Sequence, residues 1–133
     1  MMVERSTDRV AIITGASRGI GAGLVDAFRT SGYRVIANSR TIGDSPDPEI
    51  RVVAGDIADP ATAQRLVEVA VRAFGRIDTL VNNAGVFVAK PFTAYTREDY
   101  AMVTSVNTLG FFHITQCVIS QMLEQGGGAT SST

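Results

Sequence analysis

The chain has 133 residues, 45% of them apolar and 19% charged, which sets one domain with a hydrophobic core and excludes a disordered chain. Twelve basic against thirteen acidic side chains leave a net charge of −1, with no basic excess for nucleic acid or an anionic membrane. One cysteine, Cys117, and one histidine, His113, exclude an internal disulfide and supply no structural zinc ligand set, so no metal is expected.

Residues 1–8 are polar, lack the apolar core of a signal peptide, and are expected to be a flexible N-terminus. Val10-Ala11-Ile12-Ile13 is a continuous β-prone run, the pattern of a strand buried on both faces. Helical periodicity follows at Ile20, Leu24, Ala27 and Phe28, and Ser31-Gly32 closes that helix with glycine at the left-handed cap. Arg34 to Ala37 predicts a second strand, residues 43–48 a loop rich in turn formers, and Arg51 to Ala54 a third strand.

Asp59-Pro60 is a helix start, a carboxylate N-cap followed by proline in the first turn. Leu66, Ala70 and Phe74 line one face of that helix, and Asp78 to Val81 predicts a fourth strand. Thr96-Arg97-Glu98-Asp99 resembles a capping box, opening a helix that sets Tyr100, Val103 and Asn107 on one face. A separate last helix is expected from about Leu109 to Gln125, apolar almost all round and so buried by its own sheet and by another subunit. No uninterrupted apolar run reaches the ~18 residues of a membrane span, and the expected location is cytoplasmic. Strands alternating with helices predict an α/β fold, a parallel sheet with helices on both faces.

Between the first strand and first helix stands Thr14-Gly15-Ala16-Ser17-Arg18-Gly19-Ile20-Gly21. Gly15 allows a sharp turn, Gly19 lets backbone approach a pyrophosphate, and Gly21 allows close packing of helix on strand. The helix N-terminus then turns free N–H groups toward an anion. Three glycines spaced Thr-Gly-x-x-x-Gly-x-Gly resemble the short-chain dehydrogenase/reductase family, in its single-domain branch. Asp56 in Gly55-Asp56-Ile57, Asn82-Asn83-Ala84-Gly85 after the fourth strand, and Asn107 in a helix follow in the family's order.

That resemblance implies a Rossmann-like doubly wound parallel sheet, truncated here after about four strands, in one incomplete nucleotide-binding domain over residues 1–133. It implies cofactor contacts from Thr14, Gly15, Ser17, Arg18, Gly19, Ile20, Gly21, Ser39, Arg40, Asp56, Ile57, Asn82, Ala84 and Gly85. Asp56 would accept from the adenine amino group, and Asn107 would order a proton-relay water. Where an NAD enzyme carries an acidic residue at the end of the second strand, this chain has Ser39 followed by Arg40. Arg40 and Arg18 suit a 2′-phosphate, so NADP(H) is expected over NAD(H). The implied reaction is hydride transfer between a small-molecule alcohol and a carbonyl, in a parent that is a homo-oligomer.

The family's Tyr-x-x-x-Lys pair is missing from these residues. Four positions beyond Tyr33, Tyr95 and Tyr100 stand Ala37, Asp99 and Thr104, and Lys90 is the sole lysine. Ser131 and Ser132 come too early, with no strand before them, to be the catalytic serine. The expectation for the chain alone is a non-catalytic fragment, with Val86 to Phe92 as one wall of a substrate pocket. The residues after Gly128 match a one-base shift in a plausible spelling of the family's Gly-His-Ile-Val-Asn. A frame change near Gly128 is therefore expected, with plain truncation as the alternative and 126–133 as an aberrant or disordered tail. Such a chain would leave strand four as an open edge and expose Phe111, Phe112 and Val118, an aggregation hazard.

Overall fold

The computed structural model describes residues 9–85, 90–127 and 129–132. The expected N-terminal segment and most of the Val86–Phe92 wall lie outside them. The strands are β1 (Val10–Thr14), β2 (Arg34–Ser39), β3 (Ile50–Ala54), β4 (Thr79–Asn82) and β5 (Ala129–Ser132). The helices are α1 (Gly19–Thr30), α2 (Pro60–Phe74), α3 (Arg97–Thr104) and α4 (Phe111–Gln125). All strand pairs are parallel, in the order β3-β2-β1-β4-β5.

Because β1 is buried throughout and β2 is buried between its end residues, alternate residues feed two cores. Val10, Ile12, Ile36 and Leu80 pack with Leu66 and Ala70 of α2 and Ile114, Val118 and Met122 of α4. Ile13, Val35, Ala37 and Val81 pack on the other face with Val25 of α1, flanked by Leu24 and Phe28. The expected face of α1 needs one correction. Ile20 is 73% exposed and Ala27 is also exposed, whereas Val25 is the buried apolar side chain.

Helix α2 begins as its sequence dictates, with Asp59 Oδ1 accepting from Ala61 N at 2.9 Å and Gly75 closing it in the left-handed conformation. The Arg34 and Arg51 guanidiniums both approach the Phe74 ring, 5.5 and 5.4 Å from its centroid. Parallel β2 and β3 are joined by residues 40–49 without a helix, an unusually short crossover. Asp47 anchors that loop to α1 through Arg29 Nε at 2.8 Å.

Two expectations are overturned. First, α3 and α4 are not separate helices: a π-helical stretch, Ser105–Gly110, joins them into a 29-residue helix, Arg97–Gln125. Its length and hydropathy would allow a membrane crossing, but Ile114, Val118 and Met122 are buried in the sheet core, which makes it a core helix. Second, β4 is not an open edge. Residues 129–132 pair with it from Thr79↔Ala129 to Asn82↔Ser132, giving a fifth strand that contains Ser131 and Ser132. Backbone hydrogen bonding along the β4 edge recruits this polar segment despite its lack of an apolar run. Phe111 and Phe112 are 46% and 55% exposed as expected, whereas Val118 is fully buried.

Candidate functional site

At the carboxyl ends of β1, β2, β3 and β4 lies a cleft of about 600 Å³. The β1–α1 turn forms its floor. Gly15 has φ +64°, and a Cβ there would meet the Ala84 backbone at 2.9 Å, so the turn needs glycine twice over. A Cβ on Gly21 would lie 1.8 Å from the Gly15 carbonyl oxygen. The closeness that Gly21 permits is thus of helix on turn. Nothing lies within 4 Å of the Cβ position at Gly19, which leaves space above the helix start. Arg18 occupies the N-cap in extended conformation without a side-chain cap, so its own side chain leaves the first amides of α1 uncapped.

Arg18, Ser17 and Ile20 line this cleft, together with Ser39 and Arg40 from β2, Asp56 and Ile57 after β3, and Ala84 and Gly85 after β4. Asp56 Oδ1 accepts from Ala58 N at 2.9 Å, which fixes its carboxylate at the cleft wall. Ser39 O accepts from Gly55 N at 3.1 Å, bringing the ends of β2 and β3 together. Two guanidiniums from separate segments thus share a cleft with a carboxylate.

A second cavity of about 260 Å³ adjoins the first. Ile57, Asn83, Ala84, Gly85 and Val106 line both, and Thr14, Asn82, Asn107 and Phe111 complete the smaller one. The π-helical stretch places Asn107 at this wall, where a Cβ on Gly85 would come within 3.1 Å of Asn107 Oδ1. A Cβ on Gly110 would meet Ile57 Cγ2 at 2.6 Å, so glycine here brings the long helix close to the Asp56-Ile57 segment.

Several residues of the smaller cavity's wall also brace it through hydrogen bonds. Thr14 is 1% exposed, and its hydroxyl accepts from Asn83 N at 3.0 Å and Ala84 N at 2.9 Å. Asn82 Nδ2 donates to Thr115 Oγ1 at 3.1 Å, and Asn83 Nδ2 donates to Gly15 O at 3.1 Å. The Thr14-to-Gly15 corner and the Asn82-to-Gly85 segment are therefore one hydrogen-bonded unit. The sequence does not single out Asn38, Thr41 or Val106 as cleft residues. Asn38 follows the apolar run Val35-Ile36-Ala37 directly, and the structure extends β2 over it. His113 and Cys117 lie on α4 away from both cavities, half-buried.

The family model described as short chain dehydrogenase matches residues 9–130. The D-threitol dehydrogenase of Mycolicibacterium smegmatis is 36% identical over 135 residues, covering 94% of this chain and 52% of that protein. The NADP-dependent (R)-specific alcohol dehydrogenase of Lentilactobacillus kefiri is 34% identical over 137 residues, covering 97% and 54%. Among solved structures, a short chain dehydrogenase from Bacillus anthracis superposes with a TM-score of 0.87 at 28% identity, covering 96% of this chain and 57% of that one. The chain spans about half the length of the curated relatives it matches.

Proposed function

The chain belongs to the short chain dehydrogenase family, a family that binds a nicotinamide cofactor, and on that premise we propose that the adjoining cavities hold NADP(H), as the cofactor half of an oxidoreductase acting on a small-molecule alcohol or carbonyl. The observation that carries this reading is the convergence of Arg18, Ser39 and Arg40 on one cleft, with a hydroxyl where an NAD enzyme would place a carboxylate.

The residues present fit the group. Arg18 and Arg40 would donate charge-assisted hydrogen bonds to the 2′-phosphate, and Asp56 would accept from the adenine amino group. The uncapped start of α1, under open space at Gly19, would receive the pyrophosphate. Asn82, Ala84 and Gly85 would run along the nicotinamide half, with Asn107 ordering a water beside it. The nicotinamide, when bound, supplies hydride transfer. A relative of similar sequence is named as NADP-dependent, which supports the 2′-phosphate reading.

Tyr-x-x-x-Lys does not occur in these 133 residues, so we assign them cofactor binding without turnover of their own. A protein of its relatives' full length would add the alcohol or carbonyl substrate site and a homo-oligomer to which exposed Phe112, Ile119 and Leu123 on α4 would contribute. The test is thermal unfolding with added nucleotide. A ligand at a hundred times its Kd adds about 2.7 kcal/mol to stability, so NADP+ should raise Tm more than NAD+ does. Equal shifts would remove the NADP preference, and no shift with either would favour an inert remnant.

A further inference from the structure

Three segments that line the larger cleft meet at one residue, Asn38, whose side chain is 1% exposed. Its Nδ2 donates to Val53 O at 2.9 Å and to Gly55 O at 3.2 Å. Its own carbonyl accepts from Ala16 N in the β1–α1 turn at 2.9 Å. The β2–β3 ladder ends at Ser39↔Ala54; beyond it Gly55 N donates to Ser39 O at 3.1 Å, and Asn38 adds a hold on the Gly55 carbonyl. Gly55 has φ +156°, and a Cβ there would meet Arg65 Nη2 and Thr62 Oγ1. An asparagine in a buried strand is costly unless its amide is satisfied, and the two carbonyls satisfy both of its donors.

We propose that Asn38 is a positioning residue for the adenosine end of the ligand. Its amide holds the Gly55 carbonyl, and with it the start of the Asp56 segment, in fixed relation to Arg40 and the turn that bears Arg18. This inference rests on the nucleotide-binding reading above. It adds that adenine recognition and 2′-phosphate recognition are coupled through one residue that touches neither group, its side chain holding the Gly55 side and its backbone carbonyl the turn. An apolar replacement would leave the Val53 and Gly55 carbonyls without their donor and free the segment to shift.

The test uses the full chain with Asn38→Ala and Asn38→Thr, at a temperature where circular dichroism shows each to be folded. NADPH affinity is read by fluorescence titration, and the adenosine end alone by competition with 2′,5′-ADP. Asn38→Ala should raise the Kd of both ligands about tenfold, the equivalent of one lost hydrogen bond. Asn38→Thr, which keeps one hydroxyl donor, should recover part of that loss. Amide exchange in the free protein should rise at residues 55–57 in Asn38→Ala. Unchanged affinity in a folded Asn38→Ala, even one with lowered Tm, would make the residue a structural brace only and overturn the inference. A threonine variant as weak as the alanine one would also count against the donor role. If the wild type binds neither ligand, the proposed function falls and takes this inference with it. If the wild type binds and the variants bind equally well, this inference alone falls.

Discussion

Thr14 Oγ1 accepts the Ala84 backbone N–H at 2.9 Å, a bond between residues 70 positions apart that joins the ends of β1 and β4. The same oxygen accepts from Asn83 N at 3.0 Å. Thr14→Val keeps the shape of the side chain and strands both donors in a poorly hydrated corner. It should cost about 1–3 kcal/mol in urea unfolding, whereas Thr14→Ser should cost less because the hydroxyl survives. Equal losses for the two would show that packing, and not the acceptor, is what matters there.

Gly21 and Gly23 stand two residues apart on α1 and should respond in opposite directions to alanine. At Gly21 the added carbon would lie 1.8 Å from the Gly15 carbonyl oxygen and 2.6 Å from Asn83 Nδ2, so the turn must move. Overpacking of that kind costs about 1–3 kcal/mol, and nucleotide affinity should fall with it. At Gly23 nothing lies within 4 Å, and alanine should stabilise the helix by about 0.5–1 kcal/mol. Thermal melts of the two variants decide the matter, and the prediction fails if their signs agree.

Acid sensitivity should come partly from the β2–β3 loop. The Arg29 guanidinium, followed by the Glu49 backbone N–H, holds the Asp47 carboxyl below its ordinary value of 3.8. A carboxylate whose pKa is lower in the folded state stabilises the fold fully above the unfolded value. That contribution is lost as the pH falls below 3.8 toward the folded pKa. Asp99 behaves alike, held down by Lys90 and the Thr96 N–H. Urea midpoints at pH 6 and pH 3 should therefore differ less in Asp47→Asn than in the wild type. High salt should narrow the wild-type difference, because the pair is solvent-accessible.

Strand β5 shields the β4 edge. Removing residues 129–133 should expose that edge, speed amide exchange along Thr79–Asn82 and raise light scattering on concentration. Scattering and exchange identical to the full chain would mean that the strand contributes nothing to either property.

What the sequence made legible, and what it hid, has a physical pattern. Strands β1 to β4 were readable because they are short apolar runs punctuated by Gly and Asp, and their local preference agrees with their burial. The glycine turn was readable because spacing and context coincide. Ile20 was misplaced because helical periodicity cannot tell a core position from a cleft wall. The join between α3 and α4 at Ser105–Gly110 is hidden because two amphipathic patterns abut near Asn107 and Leu109, and Gly110 lowers helix propensity there. Within the fold it instead permits contact with Ile57, a tertiary demand with no local signature. Strand β5 was missed for a related reason: Ala-Thr-Ser-Ser has little strand character of its own and is ordered by its neighbour. The role of Asn38 is hidden because it falls just past the expected strand and its two carbonyl partners lie 15 and 17 residues away.

The central claim is that the cleft beneath Arg18, Ser39 and Arg40 binds NADP(H). The most direct measurement is a fluorescence titration of NADPH, with NADH in parallel, against the wild type and Gly19→Asp. A saturable change with NADPH, weaker with NADH and abolished in Gly19→Asp, is the predicted result, since the new carboxylate would occupy the space kept for the pyrophosphate. No saturable change at millimolar NADPH, or binding that survives in Gly19→Asp, would contradict the account.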